Sequence, residues 1–190
     1  MATTIQSGRS SSPLLTADVA SRAEIYGGRG LVFDGVTDYL KSDIGSTTYA
    51  TYTISCWINP TSRSNWIRLV QVDNTSSRYL GLHGDGRVIS SYYSGSWSEA
   101  YTTTTLSTGN WYHLALVDDD TQTKIYINGV ATTLANSIQV SGSNLYISSH
   151  NGSGNFFDGK ISDVKFFSSA LTEAQVQELY LKPEQSAPSA

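Results

Sequence analysis

Short stretches of alternating apolar and polar residues run from Leu31 to Phe167, and this pattern limits the fold more than any other feature. A period of two places successive side chains on opposite faces of a β-strand, and Gly, Asn and Asp between the stretches are typical of turns. The segment YTISCWINP ends at Pro60, which cannot donate to a ladder. In WYHLALVDDDTQTKIYINGV, an acidic turn from Asp118 to Gln122 joins two such stretches. The pattern predicts an all-β, antiparallel two-sheet sandwich.

The two ends of the chain do not follow this pattern. Thr172 and Gln175 have the spacing of a capping box, which predicts one short helix before Pro183. We therefore expect a domain over residues 28–181, long enough to bury a core of its own, and a tail over residues 182–190.

Residues 1–27 form a polar segment with a few apolar residues, and we expect it to be an arm. Such a segment can offset its ordering cost only by burying those apolar residues against the domain's own sheet, another copy of the chain or another protein, and we favour a contact with a partner chain. The predicted partner-binding residues of the arm are Leu14, Leu15, Val19, Ile25 and Tyr26.

Charge and cysteine content exclude several classes of function. The net charge of −4 offers no basic surface for nucleic acid or an anionic membrane. No apolar run reaches the ~20 residues that span a bilayer, and the first residues do not resemble a signal peptide, so we expect synthesis in the cytoplasm. The single cysteine, Cys56, excludes an intramolecular disulfide and is expected to be buried and inert. Four arginines are predicted on solvated outer faces of strands: Arg63, Arg68, Arg78 and Arg87.

Four segments, in this order, carry a family resemblance: GLVFDGVTDYL, YTISCWINP, WYHLALVDDDTQTKIYINGV and FFDGKISDVKFFSSALTEAQVQELY. They resemble the laminin-G-like, concanavalin A-like jelly-roll domains of secreted, adhesive and viral proteins, among them small stand-alone bacteriophage proteins. The resemblance implies a structural or attachment component of a virus particle, either a capsid decoration or a tail or fibre protein. Its partners would be other virion proteins, further copies of the chain and a cell-surface glycan. The alternative is a free carbohydrate-binding lectin.

Catalytic and metal-binding motifs are absent from the sequence. Glycosidases related to this fold use a strand-borne Glu-x-Asp-x-x-Glu motif, whereas Glu99 is the one glutamate of the predicted sandwich, so we predict no enzyme. The three histidines lie too far apart for a zinc motif, and His113 is expected to be structural. Calcium, which relatives often hold, has candidate oxygen ligands in residues 118–120 and in Asp73 with Asn74. We prefer a solvated hairpin turn and predict no metal or cofactor.

The segment YYSGSWSEAY has the composition of a sugar-binding surface, because aromatic rings stack on sugars while Ser and Glu hydrogen bond to them. Trp97 is expected in a loop, where it is a ligand contact if exposed and a core residue if buried. Trp57 and Trp111 are expected in the core. The segment HNGSGNFFDG, from His150 to Gly159, is predicted to form a second, polar wall of the same sugar-binding surface. The predicted ligand-binding residues are Tyr92, Tyr93, Trp97, Glu99, Tyr101, His150, Asn151 and Asn155.

Overall fold

The computed structural model describes residues 2–5, 30–72, 78–93, 95–136, 139–183 and 187–189. Within these ranges the chain forms thirteen β-strands and one α-helix. The strands are Ala2–Ile5 (β1), Leu31–Asp34 (β2), Leu40–Tyr49 (β3), Tyr52–Pro60 (β4), Ile67–Val72 (β5), Arg78–Leu82 (β6), Arg87–Tyr93 (β7), Trp97–Thr105 (β8), Tyr112–Asp118 (β9), Gln122–Ile127 (β10), Val130–Asn136 (β11), Val140–Ile147 (β12) and Asp158–Phe167 (β13). The helix is Glu173–Leu181 (α1).

Two antiparallel sheets form a sandwich. The seven-stranded sheet has the order β1-β13-β4-β9-β10-β11, with β2 also paired to β13. The six-stranded sheet has the order β3-β12-β5-β6-β7-β8. The predicted all-β two-sheet sandwich with one C-terminal helix is therefore confirmed.

The main core lies between the two sheets and is built from the inward-facing residues of each strand. On β4, Tyr52, Ile54, Cys56 and Ile58 alternate toward this core and are fully buried, as the period-two pattern predicts. Burial raises the pKa of the Cys56 thiol to about 12. The predicted burial of Cys56 is thus confirmed, and its lack of reactivity stays a prediction.

Helix α1 covers the outer face of the seven-stranded sheet. Thr172 caps the helix and forms the predicted capping box with Gln175. On the covered face, Trp57 and Trp111 pack with Tyr180 of the helix, and the rings of Trp57 and Tyr180 stack with centroids 5.6 Å apart. The two tryptophans predicted for the core are therefore both buried.

The predicted arm contributes one described element, strand β1. It pairs antiparallel with the end of β13, from Ala2 opposite Phe167 to Ile5 opposite Val164. The apolar residues that we expect to bind a partner, 14, 15, 19, 25 and 26, lie outside the described residues. The arm's partner-binding role therefore stays a prediction.

Two of the four arginines are not solvated, so that prediction is wrong for Arg68 and Arg78, which are 5% and 1% exposed. Arg78 points between the sheets, where its guanidinium donates to Asp118 (Nη1 to Oδ2, 3.2 Å) and to Thr123 (Nη2 to Oγ1, 2.7 Å). Because Asp118 is fully buried, the acidic hairpin is not simply a solvated turn either. Asp119 shapes that turn by accepting from the backbone N–H of Gln122 at 2.9 Å.

Candidate functional site

The outer face of the six-stranded sheet carries the residues of the candidate site. On β6, Tyr79 alternates with the core residue Leu80 and so points away from the core. The register places Tyr79 opposite Ser91 of β7, and Ser91 opposite Glu99 of β8. Directly opposed residues point to the same side of a sheet, so Tyr79 and Glu99 share the outer face, as do Trp97 and Tyr101 along β8.

Trp97 is the centre of an aromatic group on this face. It is 44% exposed, and its ring lies 5.2 Å from Tyr93, 6.1 Å from Tyr79 and 6.4 Å from His150, measured between ring centroids. Trp97 begins strand β8, so its predicted place in a loop is wrong. Its exposure rules out the core alternative left open from the sequence, and its role as a ligand contact stays a prediction.

A second aromatic group lies beside the first. The His83 ring is 5.9 Å from Trp66 and 5.4 Å from Tyr101 in edge-to-face contacts, and the Arg87 guanidinium lies 4.3 Å from the Tyr101 ring centre. Trp66 is 44% exposed and has a φ of 58°, a left-handed conformation that costs a bulky residue about 1–3 kcal/mol. The fold therefore holds an indole ring at the surface despite a backbone cost.

Arg68 lies beneath the first aromatic group. Its guanidinium carbon is 4.0 Å from the centre of the Tyr79 ring and 4.9 Å from that of Trp97. Nη1 donates to Oε1 of Gln71 at 3.2 Å. Burial lowers the pKa of Arg68, while Tyr79 and the negative charge of Glu99 oppose that shift. We refer to Trp66, Arg68, Tyr79, His83, Tyr93, Trp97, Glu99, Tyr101 and His150 together as the aromatic face.

The loop between β12 and β13 borders the aromatic face. Asn151 accepts a hydrogen bond from Nε2 of Gln71 at 2.9 Å, and the carbonyl of Asn155 accepts from the backbone N–H of Arg68 at 2.9 Å. His150 extends toward Trp97, and burial together with the nearby Arg68 charge lowers its pKa. The second wall predicted from the sequence is therefore adjacent to the first.

The structure thus brings together seven of the eight predicted ligand-binding residues, and Tyr92 is the exception. Tyr92 lies opposite Arg78, whose guanidinium is 6.0 Å from its ring, so it points to the core side of β7. Sequence reasoning missed Trp66, Arg68, Tyr79 and His83. The alternation of Tyr79 with Leu80 and Leu82 indicates that Tyr79 points away from the core. It does not show which strands lie beside β6 and which side chains are therefore its neighbours.

Metal-ligand clusters and membrane-spanning helices are both lacking in the part of the chain that the structure describes. No group of three or more His, Cys, Asp or Glu side chains there is arranged to hold a metal ion. The other proposed calcium ligands, Asp73 and Asn74, lie outside the described residues. No helix among the described residues has the length and apolar character to cross a membrane.

Comparison with known proteins identifies the family. Residues 34–177 match the family model described as the concanavalin A-like lectin/glucanases superfamily. The chain belongs to this superfamily. The match covers most of the sandwich, including every described strand of the aromatic face. A search of curated proteins gave no match to this chain.

Solved structures with the same fold include carbohydrate-active proteins. Domain 4 of an extracellular arabinanase from Geobacillus stearothermophilus, solved with arabinotriose, has a TM-score of 0.71 at 24% identity and covers 82% of this chain and 78% of its own. A heptameric pentraxin from Limulus polyphemus has a TM-score of 0.61 at 22% identity, with 78% and 80% covered. A sialidase from Trypanosoma rangeli reaches 0.61 at 14% identity, but the match covers only 28% of that enzyme. At these identities the likeness shows the fold alone.

Proposed function

We propose that this chain is a non-catalytic carbohydrate-binding module whose ligand stacks on the aromatic face. The observation that carries the proposal is the pair of exposed indole rings, Trp97 on the outer face of the six-stranded sheet and Trp66 in the turn before β5, where it contacts His83. Exposed aromatic rings bind the apolar faces of sugars, and neighbouring polar groups orient the sugar hydroxyls. Membership of a lectin and glucanase superfamily supports the same proposal.

The carboxylates near the aromatic face support binding without hydrolysis. Glycosidases use a pair of carboxyl groups, one of which must carry a proton to donate. On this face Oε2 of Glu99 accepts from the Tyr101 hydroxyl at 2.5 Å. The nearby Asp85 accepts from the backbone N–H of Arg87 at 3.0 Å and from Nε of the same residue at 2.7 Å, which hold its pKa well below the usual range. A carboxylate held ionised in this way is a poor proton donor.

Attachment within a virus particle is the finer role implied by the family resemblance. It remains a prediction, because the arm residues on which it depends lie outside the described residues. Sugar binding by the aromatic face is compatible with that role and with a free lectin. A sugar-binding surface also accounts for Trp66 and Trp97 without any partner protein.

Affinity gel electrophoresis tests the proposal with named polysaccharides: linear arabinan, xylan and mixed-linkage β-glucan as neutral probes, and polygalacturonate, alginate and dextran sulfate as acidic ones. We expect retardation by at least one probe and a loss of about tenfold or more in affinity for Trp97→Ala, because ring stacking and burial together contribute on the order of 1–3 kcal/mol. Reducing-end assays on the same polymers should show no hydrolysis.

Trp111→Ala is the matched control for loss of an indole. Trp111 is 8% exposed and packs in the core, so its loss should lower the melting temperature strongly, whereas Trp97→Ala should leave it nearly unchanged. Full retardation of a folded Trp97→Ala protein would show that any glycan binds elsewhere. Release of reducing ends by the wild type would show that the protein is an enzyme.

A further inference from the structure

Arg68 is an unusual cation, because it is nearly buried and yet lacks a carboxylate partner. It is 5% exposed, and its guanidinium carbon lies 4.0 Å from the ring centre of Tyr79 and 4.9 Å from that of Trp97. Among the described residues, its one side-chain hydrogen bond goes from Nη1 to the neutral amide of Gln71. Nε has no partner there, and Nη2 donates no hydrogen bond within the same part of the chain. Burying a charge with so few partners is costly unless a ligand supplies the missing ones.

Glu99 offers the complementary acceptor on the same face. Its side chain is exposed, and Oε2 accepts from the Tyr101 hydroxyl. Burial of the phenol, together with that bond, raises the pKa of Tyr101 to about 12, so the hydroxyl keeps its proton and continues to donate. Oε1 accepts no hydrogen bond from the described residues. Tyr101 therefore orients Glu99 and leaves one carboxylate oxygen free for a ligand.

The two charges are near each other but do not form an ion pair. The Arg68 guanidinium lies against the Tyr79 ring, and the strand register places Tyr79, Ser91 and Glu99 in one row across the same face. No nitrogen of Arg68 comes within 4.0 Å of a carboxylate oxygen of Glu99. A donor and an acceptor are thus held apart, next to the exposed ring of Trp97.

We propose that Arg68 and Glu99 together recognise two neighbouring hydroxyl groups of a neutral sugar stacked on Trp97. One hydroxyl oxygen accepts from Nη2 of Arg68, and the other hydroxyl donates to Oε1 of Glu99. Hydroxyl groups can do both, because each carries a donor and acceptor lone pairs. The inference rests on the proposed function and adds the substrate class and the two residues that determine specificity.

The charges of the face favour a neutral sugar over an acidic one. An anionic sugar would gain from Arg68 but would meet the exposed carboxylate of Glu99, and like charges at close range are unfavourable. Arg87 does not offset this, because its Nε is paired with Asp85 at 2.7 Å. A neutral diol gains hydrogen bonds from both charged groups without paying the repulsion.

The decisive variant is Glu99→Gln, because Glu99 is exposed and the amide keeps the shape and the acceptor for Tyr101. We expect the affinity for neutral polysaccharide to fall about tenfold, since hydrogen bonds to charged groups contribute about 1–1.5 kcal/mol more than bonds to neutral groups. Glu173→Gln, an exposed carboxylate change in the first turn of α1, should leave affinity unchanged. Arg68→Lys, which keeps the charge but loses the Nη2 donor, should weaken binding similarly.

Salt and ligand charge complete the test. Affinity for the neutral probe should change less than about twofold between about 50 and about 500 mM NaCl, because no ionic bond is screened. An O-methylated form of the neutral polysaccharide that binds should retard the protein only weakly. If Glu99→Gln binds as tightly as wild type while Trp97→Ala does not, the diol inference is wrong and the proposed function stands. Tighter binding of acidic probes by wild type would likewise overturn the inference, and failure of all six polymers to bind would overturn both.

Discussion

Arg78→Met should be among the most destabilising single changes in this protein. The Arg78 guanidinium donates to Asp118, to Thr123 and twice to Ser90, at 3.1 and 3.2 Å, within the inter-sheet space. Without Arg78, the fully buried Asp118 would still accept from the Thr123 hydroxyl at 2.8 Å and from the backbone N–H of Asp120 at 3.2 Å, but it would lose its guanidinium partner.

Removing one partner of a buried ion pair costs about 3–5 kcal/mol, because the other charge is left uncompensated. That is a large part of a typical net stability of about 5–15 kcal/mol. The measurement is urea unfolding followed by tryptophan fluorescence. The free energies of unfolding are compared with the same dependence on urea concentration, the m value, for both proteins.

Two further variants separate the buried charge from the loss of a long side chain. Arg87→Met removes an arginine whose partner, Asp85, is 42% exposed, so the cost should be about 1 kcal/mol or less. Adding Asp118→Asn to Arg78→Met should recover about 1–2 kcal/mol, because the buried carboxylate charge is removed together with its guanidinium. If Arg78→Met costs no more than Arg87→Met, or if Asp118→Asn recovers nothing, the ion pair is not a major source of stability.

Two other predictions follow from buried titratable groups. Burial and the Lys165 charge lower the pKa of His113 to about 3. As the pH falls below about 6.5, this histidine therefore takes up a proton in the unfolded chain before it does so in the folded one. The stability present above about pH 6.5 is then lost progressively toward pH 3. His113→Asn should therefore flatten the fall of the urea midpoint between about pH 6.5 and 4.5; an unchanged slope would contradict this. Cys56 should react with Ellman's reagent only at the rate of unfolding, since its thiol is fully buried with a pKa of about 12; fast labelling under native conditions would contradict its burial.

Local signals in the sequence were sufficient for strand β4 and helix α1. Strand β4 runs from Tyr52 to Pro60, as the alternation and the proline indicate, and α1 follows directly from the capping box of Thr172 and Gln175. These features depend on residues a few positions apart, and their physics is contained in the segment itself. The same is true of Cys56, whose burial follows from the strand face that it shares with Ile54 and Ile58.

Whether each tryptophan and arginine is buried or exposed depends on tertiary contacts. Trp57 and Trp97 both lie in strands. Helix α1 covers the face that carries Trp57, which is 0% exposed, whereas Trp97 is 44% exposed among the described residues. Arg78 is neutralised by Asp118, which lies 40 residues further along the chain.

The aromatic face depends on pairing in the same way. Sequence composition found the residues of β8 and the loop after β12, because each set is contiguous in the chain. It could not find Tyr79 or Arg68, which reach the same site only because β6 and β5 are neighbours of β7 and β12 in the six-stranded sheet. Strand alternation determines that a side chain points outward, but the order of the strands determines what stands beside it, and that order is set by contacts distant in sequence.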